Sequence, residues 1–247
     1  MKRFAAIVFV MMTSAAAAAE RPAWRLDVVG MVDDYTAQRD RESQVDLALG
    51  CRLAHGWTPV ASYSHEHRFG TNDDRFEVWM YTPGFGPVYG WVSLAATPDN
   101  DFLADWEGQI GAEAEWATGT SLNGRVQYRS YPNEHTTAPT LGIRQQLVTW
   151  LAIDGGYTLG LSNVESPVDT AMAGISFIIN DRWNARLGGT HGRENVPPLA
   201  PADVDTLTST LRWQMTERVG WRTDITYENR ENFYERLGVS LGATVRF

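Results

Sequence analysis

Residues 236–247 read RLGVSLGATVRF, and apolar side chains occupy every second position of this stretch. The apolar positions are Leu237, Val239, Leu241, Ala243, Val245 and Phe247, separated by arginine, glycine, serine and threonine. Successive side chains of a β-strand point to opposite faces, so a period of two is typical of a strand with one apolar and one polar face. The stretch therefore predicts an amphipathic strand that runs to Phe247.

The same alternation recurs along the sequence, for example at residues 44–53 and 106–116. No helical periodicity competes with it, and after residue 20 no apolar run approaches the roughly 18 residues of a membrane-spanning helix. Each alternating run predicts one strand. The fourteen predicted strands lie at residues 22–33, 43–54, 57–68, 75–83, 86–96, 105–116, 121–131, 138–148, 150–161, 169–179, 183–193, 204–215, 219–229 and 234–247.

The segments between the predicted strands fall into two classes. Those after even-numbered strands are short, such as residues 55–56 and 84–85. Those after odd-numbered strands include longer polar segments, such as residues 97–104 and 194–203. Short turns at one end and longer loops at the other are typical of outer-membrane barrels, in which the short turns face the periplasm.

The tryptophans distinguish a membrane barrel from a soluble β-sandwich or lipocalin-like barrel, because a soluble core would scatter them. Aromatic rings concentrate at membrane–water interfaces. Seven of the ten tryptophans lie at the short-turn end of the predicted strands: Trp24, Trp57, Trp116, Trp150, Trp183, Trp213 and Trp221. A second band at the loop end is predicted from Tyr35, Phe69, Phe102, Tyr131 and Tyr234. The sequence therefore predicts an all-β fold, a transmembrane antiparallel up-and-down β-barrel of about 14 strands, with 12 strands as the alternative.

The composition and the amino-terminal segment limit the classes of protein to which the chain can belong. Of the 247 residues 43% are hydrophobic, which excludes a disordered chain, and the net charge of -9 argues against nucleic-acid binding. Cys51 is the single cysteine, so neither an internal disulfide nor a thiolate metal cluster can form. Lys2, Arg3, an apolar segment at 4–12 and small residues at 15–19 predict a cleaved signal peptide at residues 1–19, followed by an outer-membrane barrel at residues 20–247.

Several short motifs between residues 60 and 160 resemble the YaiO-type outer-membrane β-barrel family. They are Arg75-Phe76, Tyr81-Thr82-Pro83-Gly84, Val88-Tyr89-Gly90-Trp91, Ala96-Thr97-Pro98, Asp101-Phe102-Leu103 and Tyr128-Arg129 with Tyr131. The resemblance implies an outer-membrane barrel, and some members of that family are linked with envelope polysaccharide. The terminal strand ending in Phe247 resembles the assembly signal of outer-membrane proteins. This implies the barrel-assembly machinery as a partner, beside outer-membrane lipid and lipopolysaccharide.

The sequence predicts no catalytic, metal or cofactor-binding residue. Outer-membrane phospholipases and lipid-A deacylases resemble one another in carrying His-x-Ser on one strand face, and none of the five histidines here stands in that motif. His65-Glu66-His67 is the densest metal-like cluster, but no third ligand follows at a fixed spacing, so two polar side chains at the rim are the favoured interpretation. A hydrolase acting at the extracellular rim around His65 and Glu66 stays an alternative.

The polar alternates of the predicted strands are assigned to the lumen, where they form a mixed-sign, arginine-rich lining. The charges predicted there are Glu107, Glu113, Glu115, Arg125, Arg129, Arg144, Arg186, Arg212, Arg222 and Asp224. The first hypothesis is a non-enzymatic outer-membrane barrel with a polar, Arg/Glu-lined lumen for envelope passage or polysaccharide-related export. The other is a closed structural or surface-interaction barrel whose charges fill the interior.

Hairpin turns also predict strand register, because the loop sets which residues face each other. A turn at residues 117–121 centred on Gly119 predicts that Glu113 faces Arg125. The same arithmetic predicts that Arg212 faces Arg222, an unfavourable pair that needs an acidic group from elsewhere.

Overall fold

Fourteen antiparallel strands close into one barrel in the computed structural model. The structure describes residues 23–36, 42–68, 70–98, 100–101, 103–164, 166–194, 202–231 and 234–247; the predicted signal peptide at residues 1–19 lies outside them. In these ranges no helix has the length and apolar character needed to cross a membrane. The strands are β1 (Ala23–Tyr35), β2 (Glu42–Arg52), β3 (Thr58–Arg68), β4 (Thr71–Tyr81), β5 (Val88–Ala96), β6 (Trp106–Ala117), β7 (Thr120–Tyr131), β8 (Glu134–Val148), β9 (Leu151–Ser162), β10 (Val168–Ile178), β11 (Trp183–Glu194), β12 (Ala202–Gln214), β13 (Val219–Arg230) and β14 (Tyr234–Arg246).

The strand predicted from residues 236–247 closes the barrel. It pairs with β13 on one side and with β1 on the other, where Leu26 faces Val245 and Val28 faces Ala243. A closed ladder pairs every strand on both sides, which the hydrocarbon layer requires because it offers no water to unpaired N–H and C=O groups. The predicted transmembrane up-and-down barrel of about 14 strands is confirmed.

The outer surface is apolar and exposed. Leu94, Ile110 and Leu141 expose 64%, 63% and 73% of their surface, and comparable residues alternate along the other strands. An exposed band of this kind would be costly in water but matches the lipid-facing surface of a membrane barrel. The alternate residues on each strand are less exposed and face the interior.

Aromatic side chains form a girdle at the short-turn end, as the sequence predicts. Trp183 and Trp213 stack with their ring centroids 5.2 Å apart and nearly parallel planes. The exposed members are Trp24, Trp57, Trp116, Trp150 and Trp221. These rings lie at the interfacial level, where an amphipathic side chain contacts both lipid and water.

The predicted second aromatic band is wrong in its membership. Tyr35 is buried on the inner face and packs edge-to-face against Tyr234, with ring centroids 5.3 Å apart. Tyr131 shares that face, since it opposes Glu134, whereas Phe69 lies outside the described residues, as does the Phe of the 101–103 motif. The cause is strand parity: a band drawn by position along the chain ignores which face each residue occupies. Outward aromatic residues toward the loop end are Tyr63, Trp106, Tyr128, Tyr157 and Tyr227.

The predicted register of β6 against β7 is also wrong. Glu113 faces Asn123, and Arg125 faces Gly111, so the predicted Glu113–Arg125 pair is displaced by two residues. The turn is tighter than the sequence suggested, because Gly119 adopts a φ of 76°, which glycine tolerates without strain.

A β-bulge next to this tight turn restores the pairing of inward residues of β6 with inward residues of β7. Ala117 faces Thr120, and extending that register would set polar Glu115 against apolar Leu122. The extra residue Trp116 shifts the ladder by one, so inward residues again face inward residues. In contrast, the prediction that Arg212 faces Arg222 is confirmed.

Strand β8 begins four residues before its predicted start at residue 138, at Glu134. Pro139 lies inside it and faces Val126 of β7. The ladder between β8 and β9 has no pairs at Ala138 and Pro139 and resumes at Thr140. Because proline has no N–H, Pro139 interrupts the ladder with β9, while the ladder with β7 continues through it.

Candidate functional site

The inner wall of the barrel is the candidate functional site. All ten charges that the sequence assigns to the lumen lie at the less exposed strand positions, opposite the apolar outer surface, except that Glu115 is exposed near the β6–β7 turn. The structure shows five of them in ion pairs with near neighbours on the wall: Glu107, Arg129, Arg186, Arg222 and Asp224.

Glu107 is the centre of the largest cluster that the structure describes on β4, β6 and β7. Arg129 donates from Nε to Oε2 at 2.7 Å, while Arg75 Nη2 and Gln127 Nε2 donate to Oε1 at 3.2 and 2.7 Å. Arg75 also reaches Glu77 at 3.3 Å. Glu107 is 7% exposed. A carboxylate this buried requires such compensation, since an unpaired charge would be costly.

Asp224 is the centre of a second cluster and compensates the unfavourable arginine pair. Arg222 donates from Nη2 to Asp224 Oδ1 at 2.8 Å, and Thr210 and Ser240 donate to the two carboxylate oxygens at 2.6 and 2.7 Å. Arg222 faces Arg212 on the neighbouring strand. The acid that the sequence could not assign is therefore two residues along the same strand, on the same face.

Arg186 reaches across a strand to Asp154. Its Nη2 lies 2.7 Å from Asp154 Oδ2, and the guanidinium passes over Gly174 of the intervening β10. A Cβ at Gly174 would lie 2.5 Å from Arg186 Nη2, so only glycine leaves room for this contact. Asp154 also faces Arg144 in the β8–β9 ladder.

A third cluster lies toward the end of the barrel that carries the longer loops. Arg236 donates to Asp33 Oδ2 at 3.3 Å and to Glu228 Oε2 at 2.8 Å. The phenol of Tyr234 donates to the other oxygen of Glu228 at 2.9 Å. This cluster joins β13, β14 and β1 across the closing ladder.

Arg125 and Glu113, which the sequence paired, have separate partners. Arg125 donates from Nε to Thr140 Oγ1 at 3.3 Å, and among the described carboxylates none forms an ion pair with it. Glu113 accepts from the Tyr89 hydroxyl at 2.6 Å. Arg125 thus keeps donor capacity toward the lumen.

Sequence reasoning missed four inward aromatic residues on β4 and β5, Trp79, Tyr81, Tyr89 and Trp91, which we call the aromatic wall. The rings of Trp79 and Tyr81 stack at 5.8 Å with planes 8° apart, and those of Tyr89 and Trp91 lie 6.1 Å apart. Tyr81 faces Trp91 across the ladder, which joins the two pairs.

The alternation of apolar residues on β4 and β5 is a sequence signal that predicts the inward face of the aromatic wall. Phe76 and Val78 on β4, and Val92 and Leu94 on β5, are the apolar alternates that face lipid. The residues between them must therefore face inward whatever their polarity. Only charged residues were assigned to the lumen from the sequence, so these four were missed.

The side chains of His65 and His67 contact residues of β4 rather than Glu66, their neighbour in the sequence. His65 Nδ1 lies 2.8 Å from Asp74 Oδ1, and His67 Nδ1 lies 2.7 Å from Asn72 Oδ1. Glu66 is buried on the opposite, inner face, away from His65. Within the described ranges, no group of three or more His, Cys, Asp or Glu side chains could hold a metal ion.

Comparison with solved structures identifies outer-membrane barrels of similar fold. A CymD monoaromatic hydrocarbon channel superimposes with a TM-score of 0.66 at 9% identity, covering 92% of this chain and 88% of that one. A bacterial polysaccharide outer membrane secretin gives 0.64 at 10% identity, with 91% and 98% covered. The KdgM porin in complex with disordered oligogalacturonate gives 0.52 at 12% identity, with 90% and 99% covered.

No protein-family model and no curated protein sequence matches the chain. At these identities the structural likeness establishes the fold, that of outer-membrane porins and channels, and nothing finer. The resemblance to YaiO-type barrels stays a prediction.

Proposed function

We propose that this protein is a non-enzymatic channel of the bacterial outer membrane that passes small polar solutes, including fragments of envelope polysaccharide. The observation that carries the proposal is the direction of the ion pairs on the inner wall. Arg25–Asp27 and Arg222–Asp224 lie within single strands. Such pairs lie along the barrel wall and do not extend toward the opposite wall.

The longer pairs follow the wall as well. Arg129–Glu107 joins neighbouring strands, and Arg186–Asp154 spans only one intervening strand. A salt-bridge plug would instead link opposite walls, seven strands apart in a ring of fourteen. Charges held against the wall support a water-filled axis, which we propose for this barrel. With fourteen strands it is intermediate in size between eight-stranded barrels, which side chains fill, and open porins.

The solved neighbours support this proposal, because they include a monoaromatic hydrocarbon channel and a porin in complex with an oligogalacturonate. The YaiO-type resemblance supports the polysaccharide part of it. A rim hydrolase has less support, since His65 contacts Asp74 while Glu66 faces inward.

The experiment is conductance of the purified barrel in planar lipid bilayers, with heat-modified gel mobility as the check of folding. We expect discrete, ohmic steps. Thr208→Trp, on an inward position between Gly188 and Thr226, should reduce the step size. Its matched control is Leu207→Trp on the neighbouring lipid-facing position, which should leave it unchanged. Folded protein without conductance, or equal effects of both substitutions, would overturn the proposal.

A further inference from the structure

Six inward arginines lie near the short-turn end of the barrel and form what we call the arginine arc: Arg186, Arg212, Arg222, Arg246, Arg25 and Arg52. We infer that the arginine arc binds small anions with carboxylate or phosphate groups and makes the channel selective for anions over cations. The inference rests on the proposed function, because ion selectivity requires an open lumen. It deepens that function by assigning the charge of the solute and the residues that select it.

The arginine arc occupies six neighbouring strands of the ring, from β11 through β14 to β1 and β2. Each of these strands has one arginine among the four residues nearest the short-turn end. These six segments, all of which the structure describes, contain neither aspartate nor glutamate. Positive charge is therefore continuous over one sector of this end of the lumen.

The remaining eight strands, β3 to β10, differ in charge at the same level. Their four residues nearest the short-turn end are all within the described part of the chain and include no arginine. The charged residues among them are Glu115 on β6 and Asp154 on β9. The aromatic wall belongs to this sector as well. Charge is thus segregated around this end of the lumen, which produces a positive field along the arginine arc.

The strand register sets arginines of the arc directly against each other. Arg212 faces Arg222 across the β12–β13 ladder, and Arg25 faces Arg246 across the β14–β1 ladder that closes the barrel. Like charges directly opposite in a ladder destabilise a sheet. Two such pairs on four adjacent strands favour a role other than stability, since local conflicts of this kind persist at functional sites.

Acidic side chains hold part of the arc in position without neutralising all of it. Three of its members form ion pairs with an N–O distance of 2.7 Å: Arg25–Asp27, Arg186–Asp154 and Arg222–Asp224. Six arginines and three carboxylates leave an excess of three positive charges. A guanidinium has five N–H donors, so each of these pairs leaves a donor for a ligand.

The arc is more accessible than the arginine clusters toward the longer loops. The side chains of Arg25 and Arg186 are 29% and 38% exposed, and Arg246 is exposed. In contrast, the side chains of Arg129 and Arg236 are 10% and 12% exposed. An accessible guanidinium can exchange water for an anion, and its planar fork matches carboxylate and phosphate oxygens. Small oxyanions are therefore the expected ligands.

The test is the reversal potential of the purified barrel in a planar bilayer under a gradient of potassium chloride. We expect the sign that chloride permeation produces. Arg212→Gln should lower the ratio of chloride to potassium permeability about twofold, because a unit charge roughly 8 Å from a passing ion changes local ion concentrations by about this factor. Heat-modified gel mobility checks the folding of the variant, which loses one member of a like-charge pair.

Arg182→Gln is the matched control. Arg182 lies in the exposed turn before β11, at the same end of the barrel but outside the arc. The substitution removes the same charge and should leave the permeability ratio unchanged. The selectivity of the wild type should also fall at high salt, since the Debye length decreases from ~10 Å at 0.1 M to ~3 Å at 1 M. Absence of chloride selectivity, or equal effects of the two substitutions, would overturn the inference.

A second measurement separates this inference from the proposed channel. Isothermal titration of citrate into the folded barrel in nonionic detergent measures anion binding without conductance. Binding should weaken about two- to fivefold in Arg212→Gln, as for the loss of a partly exposed charge interaction, and stay unchanged in Arg182→Gln. Citrate binding in this pattern by a barrel that does not conduct would refute only the channel. Conductance without chloride selectivity would refute only this inference, and a failure of citrate to bind would overturn the anion site in either case.

Discussion

The contact between Glu107 and Arg129 allows a quantitative test of the β6–β7 register. These residues face each other in the ladder, with Arg129 Nε 2.7 Å from Glu107 Oε2. Their side chains are 9% and 10% exposed, so solvent screens the pair only weakly. We expect a double-mutant cycle of Glu107→Gln and Arg129→Gln to give a coupling free energy of about 2 kcal/mol, within the range of roughly 1.5–3 kcal/mol for hydrogen bonds to charged groups.

The expected coupling free energy lies in the lower part of that range because both residues keep other partners when the pair is broken. In the Arg129→Gln variant Glu107 still accepts from Arg75 at 3.2 Å and Gln127 at 2.7 Å, so its charge stays compensated. In the Glu107→Gln variant Arg75 keeps Glu77. Each single change should therefore destabilise the barrel by about 2–3 kcal/mol, less than the roughly 3–5 kcal/mol of an ion pair broken with no second partner.

The assay is equilibrium urea unfolding in phospholipid vesicles, followed by tryptophan fluorescence. Glu113→Gln with Arg125→Gln is the matched cycle, since these residues are displaced by two positions and Glu113 bonds to Tyr89. Its coupling should stay below about 0.5 kcal/mol. A larger coupling for Glu113 and Arg125 than for Glu107 and Arg129 would show that the β6–β7 register is wrong.

Two further predictions concern packing and topology. Gly174→Ala should displace the Arg186 guanidinium and lower the free energy of unfolding by about 1 kcal/mol, because the half-exposed contact with Asp154 is partly screened; an unchanged urea midpoint would contradict this reasoning. In a Cys51→Ser background, a cysteine at Asn133 in the β7–β8 turn should react with an impermeant maleimide on intact cells, whereas one at Thr118 in the β6–β7 turn should not. Labelling of the cysteine at Thr118 would show that the barrel has the opposite orientation in the membrane.

Strand parity predicts much of the inner wall but not the partners of its side chains. Parity alone places Arg222 and Asp224 on one face, because they are two residues apart on the same strand. It does not show that Thr210 and Ser240 complete the hydrogen bonds of Asp224, because those residues approach from the two neighbouring strands. Contacts within one strand follow from the sequence, whereas contacts between strands require the register.

The register depends on local turn geometry, which is why the sequence predicts one hairpin correctly and another wrongly. In the β12–β13 hairpin the predicted pairing of Arg212 with Arg222 is confirmed. In the β6–β7 hairpin the positive φ of Gly119 and the extra residue Trp116 shift the pairing. Turn conformation and bulges change a register by one or two residues without changing the alternation that a sequence displays.

The sequence by itself determined that the chain forms a closed membrane barrel, because alternating apolar faces and an interfacial tryptophan girdle are stable together only around a lipid-facing cylinder. Only the tertiary structure decided which inward groups meet. The pairing of Tyr81 with Trp91 across the β4–β5 ladder, the strand-spanning contact of Arg186 with Asp154, and the donor capacity that Arg125 keeps all depend on residues from different strands. The physical reason is that alternation is a property of one strand, whereas contact across a barrel wall is a property of the ladder that joins several.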